Sequence, residues 1–123
     1  ENMKIVPYIY NMEEIMNMSD IIVARSGAMT VTEISNLGKP SILVPLPNVS
    51  NDHQLYNAKA LEKVGGAKII LNKDLTENEL NKGIRDMIDY PQKMKEMGIN
   101  ALKLQTNDVE SKIYKEIKKL VKN

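Results

Sequence analysis

Cysteine, phenylalanine and tryptophan are absent from this sequence of 123 residues, and His53 is its single histidine. Without cysteine there is no disulfide, no thiolate nucleophile and no cysteine-ligated zinc or iron–sulfur site. A lone histidine excludes the common multi-histidine metal sites, so we expect no metal ion. The five tyrosines make a poor platform for stacking nucleic-acid bases.

The charge is nearly balanced, because 17 basic and 16 acidic side chains give +1 at pH 7. A dedicated nucleic-acid binder is not expected from such a chain, since it neutralises few phosphates. No apolar run approaches the ~20 residues of a membrane-spanning helix, and no signal peptide is visible. We therefore expect a soluble, cytoplasmic single domain. Five lysines between residues 112 and 122 indicate a solvated helix face, with weak attraction to anionic lipid headgroups as the alternative.

Short apolar strands alternate with helices over the first 71 residues. The predicted strands cover residues 5–9, 20–24, 41–46 and 67–71. The predicted helices cover 11–18, 29–37, 52–64 and 76–89, and two more begin at Pro91 and Asn107. This order predicts an α/β domain with a parallel sheet, helices on both faces and a helical C-terminal tail. Since the sheet is small and the chain starts almost directly with a strand, we expect a piece of a longer protein.

The turn after the second predicted strand is the best candidate for binding an anion. In open parallel sheets, ligands lie beyond the carboxyl ends of the strands and at helix N-termini. Ser26, Gly27 and Ala28 are small enough for backbone N–H groups to approach a phosphate, and the helix that follows presents its positive end. This turn continues through Met29 and Thr30, whose hydroxyl adds a donor.

Glu33 lies one helical turn beyond Thr30 on the same face. A carboxylate suits the two hydroxyls of a sugar diol, since each can donate to one of its oxygens. Phosphate at the helix start and ribose at Glu33 together predict a nucleotide site. The alternative is an ordinary helix start with a solvated glutamate.

Two other turns also follow predicted strands. One is Ile9–Asn11, and the other is residues 48–54, where His53 and Gln54 fall in the first turn of a helix. Gln54 offers a donor and an acceptor, which suits sugar hydroxyls, whereas a lone histidine at a helix start is commonly a surface or capping residue. The sequence has no G-x-S-x-G elbow, no G-x-x-x-x-G-K-[ST] loop and no G-x-G-x-x-G turn.

These segments resemble, in their order and spacing, the C-terminal half of the MurG family of bacterial glycosyltransferases. The resemblance rests on Val6–Met12, Asp20–Ile34, Gly38–Pro40 and His53–Ala58. The pattern R-S-G-A-x-T-x-x-E followed by H-Q-x-x-N-A is specific as a pair, and either pattern alone is weak. Similarity covers nearly the whole chain and is densest between residues 5 and 66.

The resemblance implies a GT-B glycosyltransferase, in which two Rossmann-like domains face a cleft. Residues 1–123 would be a single, truncated C-terminal domain that binds UDP-N-acetylglucosamine, without the N-terminal acceptor domain. The whole enzyme would transfer N-acetylglucosamine to lipid I with inversion, giving lipid II for peptidoglycan and so serving cell-wall growth, cell shape and division. It would act peripherally on the cytoplasmic face of the cell membrane, with no obligatory metal and no cofactor.

The resemblance also implies a role for each predicted site residue. Ile9 would meet the uracil edge through its backbone, and Ala28–Thr30 would hold the diphosphate. Glu33 would bind the ribose hydroxyls, and Gln54, with His53 beside it, the sugar hydroxyls. We expect no catalytic base in this chain, since the acceptor side would lie in the missing domain, and we expect the fragment alone to be inactive. The glycine-rich turn that opens the family's C-terminal domain is absent.

Two other functions remain open at this point. One is a related glycolipid glycosyltransferase with another acceptor, such as diacylglycerol, which the missing N-terminal half would distinguish. The other is a stand-alone nucleotide-sugar-binding subunit of a two-subunit N-acetylglucosaminyltransferase, which the length of the gene would distinguish.

Overall fold

A computed structural model of the protein describes residues 12–47 and 52–106. Its helices are α1 Met12–Met18, α2 Ala28–Leu37, α3 His53–Lys63, α4 Glu77–Asp89 and α5 Pro91–Ala101. Its strands are β1 Ile22–Ala24, β2 Ser41–Leu43 and β3 Lys68–Ile69, and single 3₁₀ turns lie at Asn72–Asp74 and Leu102–Thr106. The predicted strand at 5–9 and the helix predicted from Asn107 lie outside the described residues.

The three strands form one parallel sheet in the order β1-β2-β3. Val23 pairs with Ile42, and Leu43 pairs with Ile69. Because parallel neighbours need a crossover, α2 connects β1 to β2 and α3 connects β2 to β3. The predicted parallel sheet is confirmed for the three strands that the structure describes.

Helices cover both faces of this sheet, as the continuous apolar strands predict. Leu43 packs into a cluster formed with side chains of α1, α2 and α3 and with Ala101 at the end of α5. Its neighbours Ile42 and Val44 point the other way, into a cluster with α4 and with the methionines of α5. Ile42 and Leu43 are completely buried, so β2 forms the centre of the fold.

All three described strands are shorter in the structure than the sequence predicts, and β1 begins only at Ile22 although residues 20–24 were predicted. β2 ends at Leu43 although the apolar run continues to Leu46, and β3 covers Lys68–Ile69 although residues 67–71 were predicted. Pro45 and Pro47 have no backbone N–H, so this stretch cannot continue the hydrogen-bond ladder. Val44 and Ile70 still donate backbone hydrogen bonds to Ala24 and Leu43, at 2.9 and 3.0 Å, just beyond the strand ends.

Helix boundaries follow the local signals in the sequence closely. The Thr76 hydroxyl accepts from the Glu79 backbone N–H at 3.1 Å and so caps the start of α4, where the sequence predicts a helix from residue 76. Pro91 occupies the start of α5. Helix α2 ends at Gly38, whose φ of 65° lies in the left-handed region that glycine tolerates. None of the helices in the described ranges is long and apolar enough to cross a bilayer.

Helix α5 packs against the C-terminal end of α2 at backbone distance. A Cβ atom on Gly98 would lie 2.6 Å from the carbonyl oxygen of Gly38, so no side chain fits there. Close by, the buried hydroxyl of Ser35 donates to the carbonyl oxygen of Ala101 at 2.8 Å. These contacts fix the end of α2 that lies opposite its N-terminus.

Candidate functional site

The N-terminus of α2 opens at the carboxyl end of β1 without a side-chain cap. Gly27 is the N-cap residue, and no side chain in the described part of the chain bonds to the first turn as a cap. The first intrahelical bond runs from the Val31 N–H to the Gly27 carbonyl oxygen at 3.0 Å. The backbone N–H groups of Ala28, Met29 and Thr30 therefore have no partner within the helix, and they add to its positive end. This arrangement is suited to a phosphate.

Gly27 leaves open space in front of that helix end. Its φ of −62° and ψ of 156° are accessible to any residue, so the backbone does not require glycine. A Cβ atom built on Gly27 would meet no heavy atom within 4 Å, so packing among the described residues does not require glycine either. The missing side chain keeps the approach to the α2 N-terminus unobstructed.

A polar cluster of Ser26, Gln54 and Asn57 joins this turn to α3. The Ser26 hydroxyl is fully buried and donates to the backbone carbonyl oxygen of Gln54 at 2.7 Å. The Ser26 N–H donates to Gln54 Oε1 at 3.2 Å, and Asn57 Nδ2 donates to the Ser26 carbonyl oxygen at 3.1 Å. The single proton of the Ser26 hydroxyl is therefore used within the protein.

The side-chain oxygen of Gln54 is already engaged with the protein. Gln54 Oε1 accepts from the Ser26 N–H and, at 2.9 Å, from the Leu46 N–H, so it ties the turn after β1 to the segment after β2. Only the oxygen of an amide can accept from two N–H groups, which fixes the orientation of the group. The sequence predicts that Gln54 offers a sugar both a donor and an acceptor. The geometry leaves Nε2 as the polar group that Gln54 can offer to a ligand.

The remaining predicted residues that the structure describes lie in the first two turns of α2 and at the start of α3. Met29 is about half exposed, His53 is exposed as the first residue of α3, and Glu33 is half-buried in the second turn of α2. Asp52 is the N-cap residue of α3, and its side chain makes no cap hydrogen bond within the described residues; its φ of 60° is a conformation that L-residues rarely adopt and that is concentrated at functional sites. Ile9 lies outside the described residues. The roles of all these side chains stay predictions.

Arg25 and Asn57 reach this edge although sequence reasoning did not select them. Arg25 Nη1 donates to Asn72 Oδ1 at 2.7 Å and to the Val44 carbonyl oxygen at 3.3 Å, so the guanidinium connects the ends of two strands. Both residues stand inside the two quoted motifs, next to Ser26 and three positions after Gln54. Their positions inside the two motifs were the signal by which sequence analysis could have selected them.

Two hollows of the described surface lie away from this edge. One of about 290 Å³ is lined by Gly38, Pro40, Met94 and Gly98, at the opposite end of α2. Another of about 700 Å³ surrounds Tyr90 at the junction of α4 and α5. Within the described residues, no three metal-ligating side chains come together.

Comparison with known proteins decides the family. The model of the glycosyltransferase family 28 C-terminal domain matches residues 1–119. The chain belongs to this glycosyltransferase family. The match confirms the resemblance to MurG and the reading of the fold as part of a Rossmann-like GT-B domain.

Relatives of this family 28 domain carry the name of one enzyme. A protein of Thermoanaerobacter sp. (strain X514) named UDP-N-acetylglucosamine--N-acetylmuramyl-(pentapeptide) pyrophosphoryl-undecaprenol N-acetylglucosamine transferase is 47% identical over 120 residues, which are 98% of this chain and 33% of that protein. Its namesake in Bacillus cytotoxicus is 40% identical over 122 residues, or 99% of this chain and 34% of that protein. The chain thus spans about one third of the curated relatives that it matches.

A solved structure shows the same relationship in three dimensions. The crystal structure of Acinetobacter baumannii MurG superimposes with a TM-score of 0.69 at 36% sequence identity. The alignment covers 80% of this chain and 28% of that chain. This family 28 domain therefore shares its fold with a defined part of a larger transferase.

Proposed function

We propose that this chain is the donor-binding part of an inverting transferase that moves N-acetylglucosamine from UDP-N-acetylglucosamine to lipid I. The product would be lipid II, the lipid-linked precursor of peptidoglycan. The proposal is supported by the names of the relatives and by the uncapped N-terminus of α2, which lies at the carboxyl end of β1 beside the start of α3. That open helix end is the single observation that carries it.

We expect each part of the donor to meet one of the predicted site residues. The N–H groups of Ala28–Thr30 would bind the diphosphate and stabilise the charge that develops on it as the leaving group departs. Glu33 would accept from the ribose hydroxyls, and Gln54 Nε2 would donate to a sugar hydroxyl beside His53. The uracil would meet the backbone of Ile9.

The acceptor side would be supplied by another part of the protein. We propose that an acceptor-binding domain precedes residues 1–123 and provides the catalytic base and the surface that docks on the cytoplasmic face of the membrane. Residues 1–123 alone would then bind the nucleotide without transferring sugar, because one wall of a cleft cannot orient two substrates. Transfer by the full-length protein to lipid I, but not to diacylglycerol, would separate this function from that of a related glycolipid transferase.

Glu33 gives the sharpest test of nucleotide binding. In the full-length protein, Glu33→Ala should weaken UDP binding by about 1.5–3 kcal/mol, because charged hydrogen bonds to the ribose are lost. Binding of 2′-deoxy-UDP should be weakened less, since that ligand lacks one of the two hydroxyls. Calorimetric dissociation constants for both nucleotides measure the difference, with the exposed Glu62→Ala as the matched control. Equal losses for the two nucleotides would contradict the ribose role.

A further inference from the structure

The side-chain amide of Asn57, which is not among the predicted site residues, holds the turn that leads into α2. Asn57 Nδ2 donates to the Ser26 carbonyl oxygen at 3.1 Å, from the half-buried side of α3. Only the nitrogen of an amide can donate to a carbonyl, so the orientation of the side chain is defined. Asn57 follows Gln54 by three residues, which places both side chains on one face of α3.

The bonded carbonyl belongs to the peptide that joins Ser26 to Gly27. All peptides in the described residues are trans, so the Gly27 N–H points away from Asn57. Because the peptide is planar, the bond to its oxygen restricts rotation of the peptide from which α2 begins, in addition to the two bonds between Ser26 and Gln54. The direction of the uncapped N–H groups therefore depends on a hydrogen bond made by the neighbouring helix.

The far end of α2 is anchored independently. Gly38 and Gly98 approach at backbone distance there, and the Ser35 hydroxyl bonds to Ala101 at 2.8 Å. Loss of the Asn57 bond would consequently loosen the first turn of α2 and leave the rest of the helix in place. The role of Asn57 is testable because its loss should affect the first turn of α2 without unfolding the rest of the helix.

We infer that Asn57 is a positioning residue for the diphosphate, acting through the Ser26–Gly27 peptide on the N-terminal turn of α2. The inference rests on the proposed function, because it assumes that a nucleoside diphosphate binds at this turn. Asn57 itself would not touch the ligand. Its effect should be confined to ligands that carry the diphosphate.

The experiment compares UDP with uridine in the full-length protein. Asn57→Ala should weaken UDP binding roughly 3- to 10-fold, within the range expected for a neutral hydrogen bond, and leave uridine binding unchanged within about twofold. Asn57→Asp has nearly the same shape but turns an acceptor toward the carbonyl, so it should weaken UDP binding about tenfold or more. Asn81→Ala, at an exposed site on α4, is the matched control and should change neither constant.

Calorimetric dissociation constants and thermal unfolding midpoints, measured on the same samples, decide the outcome. A selective loss of UDP binding in both variants supports the positioning role. Equal losses for UDP and uridine, or no loss for either, would overturn it, as would failure of both variants to fold. Wild-type protein that binds no UDP would instead refute the proposed function, and this inference with it.

Discussion

Gly27→Ala adds one methyl group that should change ligand binding without changing the stability of the fold. The backbone angles of Gly27 suit alanine, and the new Cβ would meet no protein atom within 4 Å. Alanine is a poorer N-cap than glycine, at a cost of about 0.5–1 kcal/mol, whereas restricting the unfolded chain contributes about 0.4–1 kcal/mol to stability. These effects oppose each other, so the free energy of unfolding should change by less than about 0.5 kcal/mol.

The same methyl group should interfere with the diphosphate. It would occupy the space in front of the α2 N-terminus, and displacing one charged hydrogen bond costs about 1.5–3 kcal/mol, or roughly 10- to 150-fold in the dissociation constant for UDP. Calorimetry with UDP and uridine, together with thermal unfolding, measures both quantities. Gly98→Ala is the opposite control, because its Cβ would lie 2.6 Å from a backbone oxygen and should destabilise the fold by about 1–3 kcal/mol. Unchanged UDP affinity in Gly27→Ala would refute the placement of the diphosphate.

Two further pairs of variants test the polar contacts of the fold and the site. Gln54→Glu keeps an acceptor for the two backbone N–H groups, so it should preserve the unfolding midpoint. Because the Nε2 donor is lost, the transition-state stabilisation calculated from kcat/KM for UDP-N-acetylglucosamine should fall by roughly 1–3 kcal/mol. Gln54→Ala should lower both the midpoint and kcat/KM, and an unchanged kcat/KM in both variants would exclude Gln54 from sugar binding. Ser41→Ala should leave the free energy of unfolding unchanged or raise it by up to about 1 kcal/mol, because the buried Ser41 hydroxyl has no hydrogen-bond partner among the described residues. Ser35→Ala should lower the free energy of unfolding by about 1–2 kcal/mol, because the bond to Ala101 is lost. Chemical denaturation measures both, and a larger loss in Ser41→Ala than in Ser35→Ala would contradict these hydrogen-bond assignments.

Local signals in the sequence were sufficient for most of the described elements. The Thr76 cap, the stop at Gly38 and the start at Pro91 each depend on neighbouring residues alone, and the structure places helix ends at all three. The apolar runs also predict parallel strands buried on both faces. Ends of the strands were less predictable, because Leu46 continues an apolar pattern that Pro45 prevents from pairing.

Contacts between distant segments could not be predicted in the same way. From the sequence, Gly98 is only a residue that disfavours a helix. The structure shows why glycine is needed there, because α5 packs directly against the backbone of Gly38. Gln54 is likewise an ordinary donor and acceptor until the fold brings Ser26 and Leu46 to its oxygen. The motifs predict which segments form the site, whereas the hydrogen bonds among their residues depend on the tertiary fold.

The backbone contact between α5 and α2 has a consequence for the order in which the chain acquires its site. The turn at Gly27, the helix that follows it and the start of α3 are all made of the first 58 residues, whereas the contacts that hold the C-terminal end of α2 include Gly98 and Ala101. Synthesis proceeds from the N-terminus, and contacts over such sequence separations form late. A nascent chain that stops before Gly98 therefore contains every element of the proposed diphosphate site and still lacks the surface that holds the C-terminal end of α2. We expect α2 to gain its last contacts only when α5 docks.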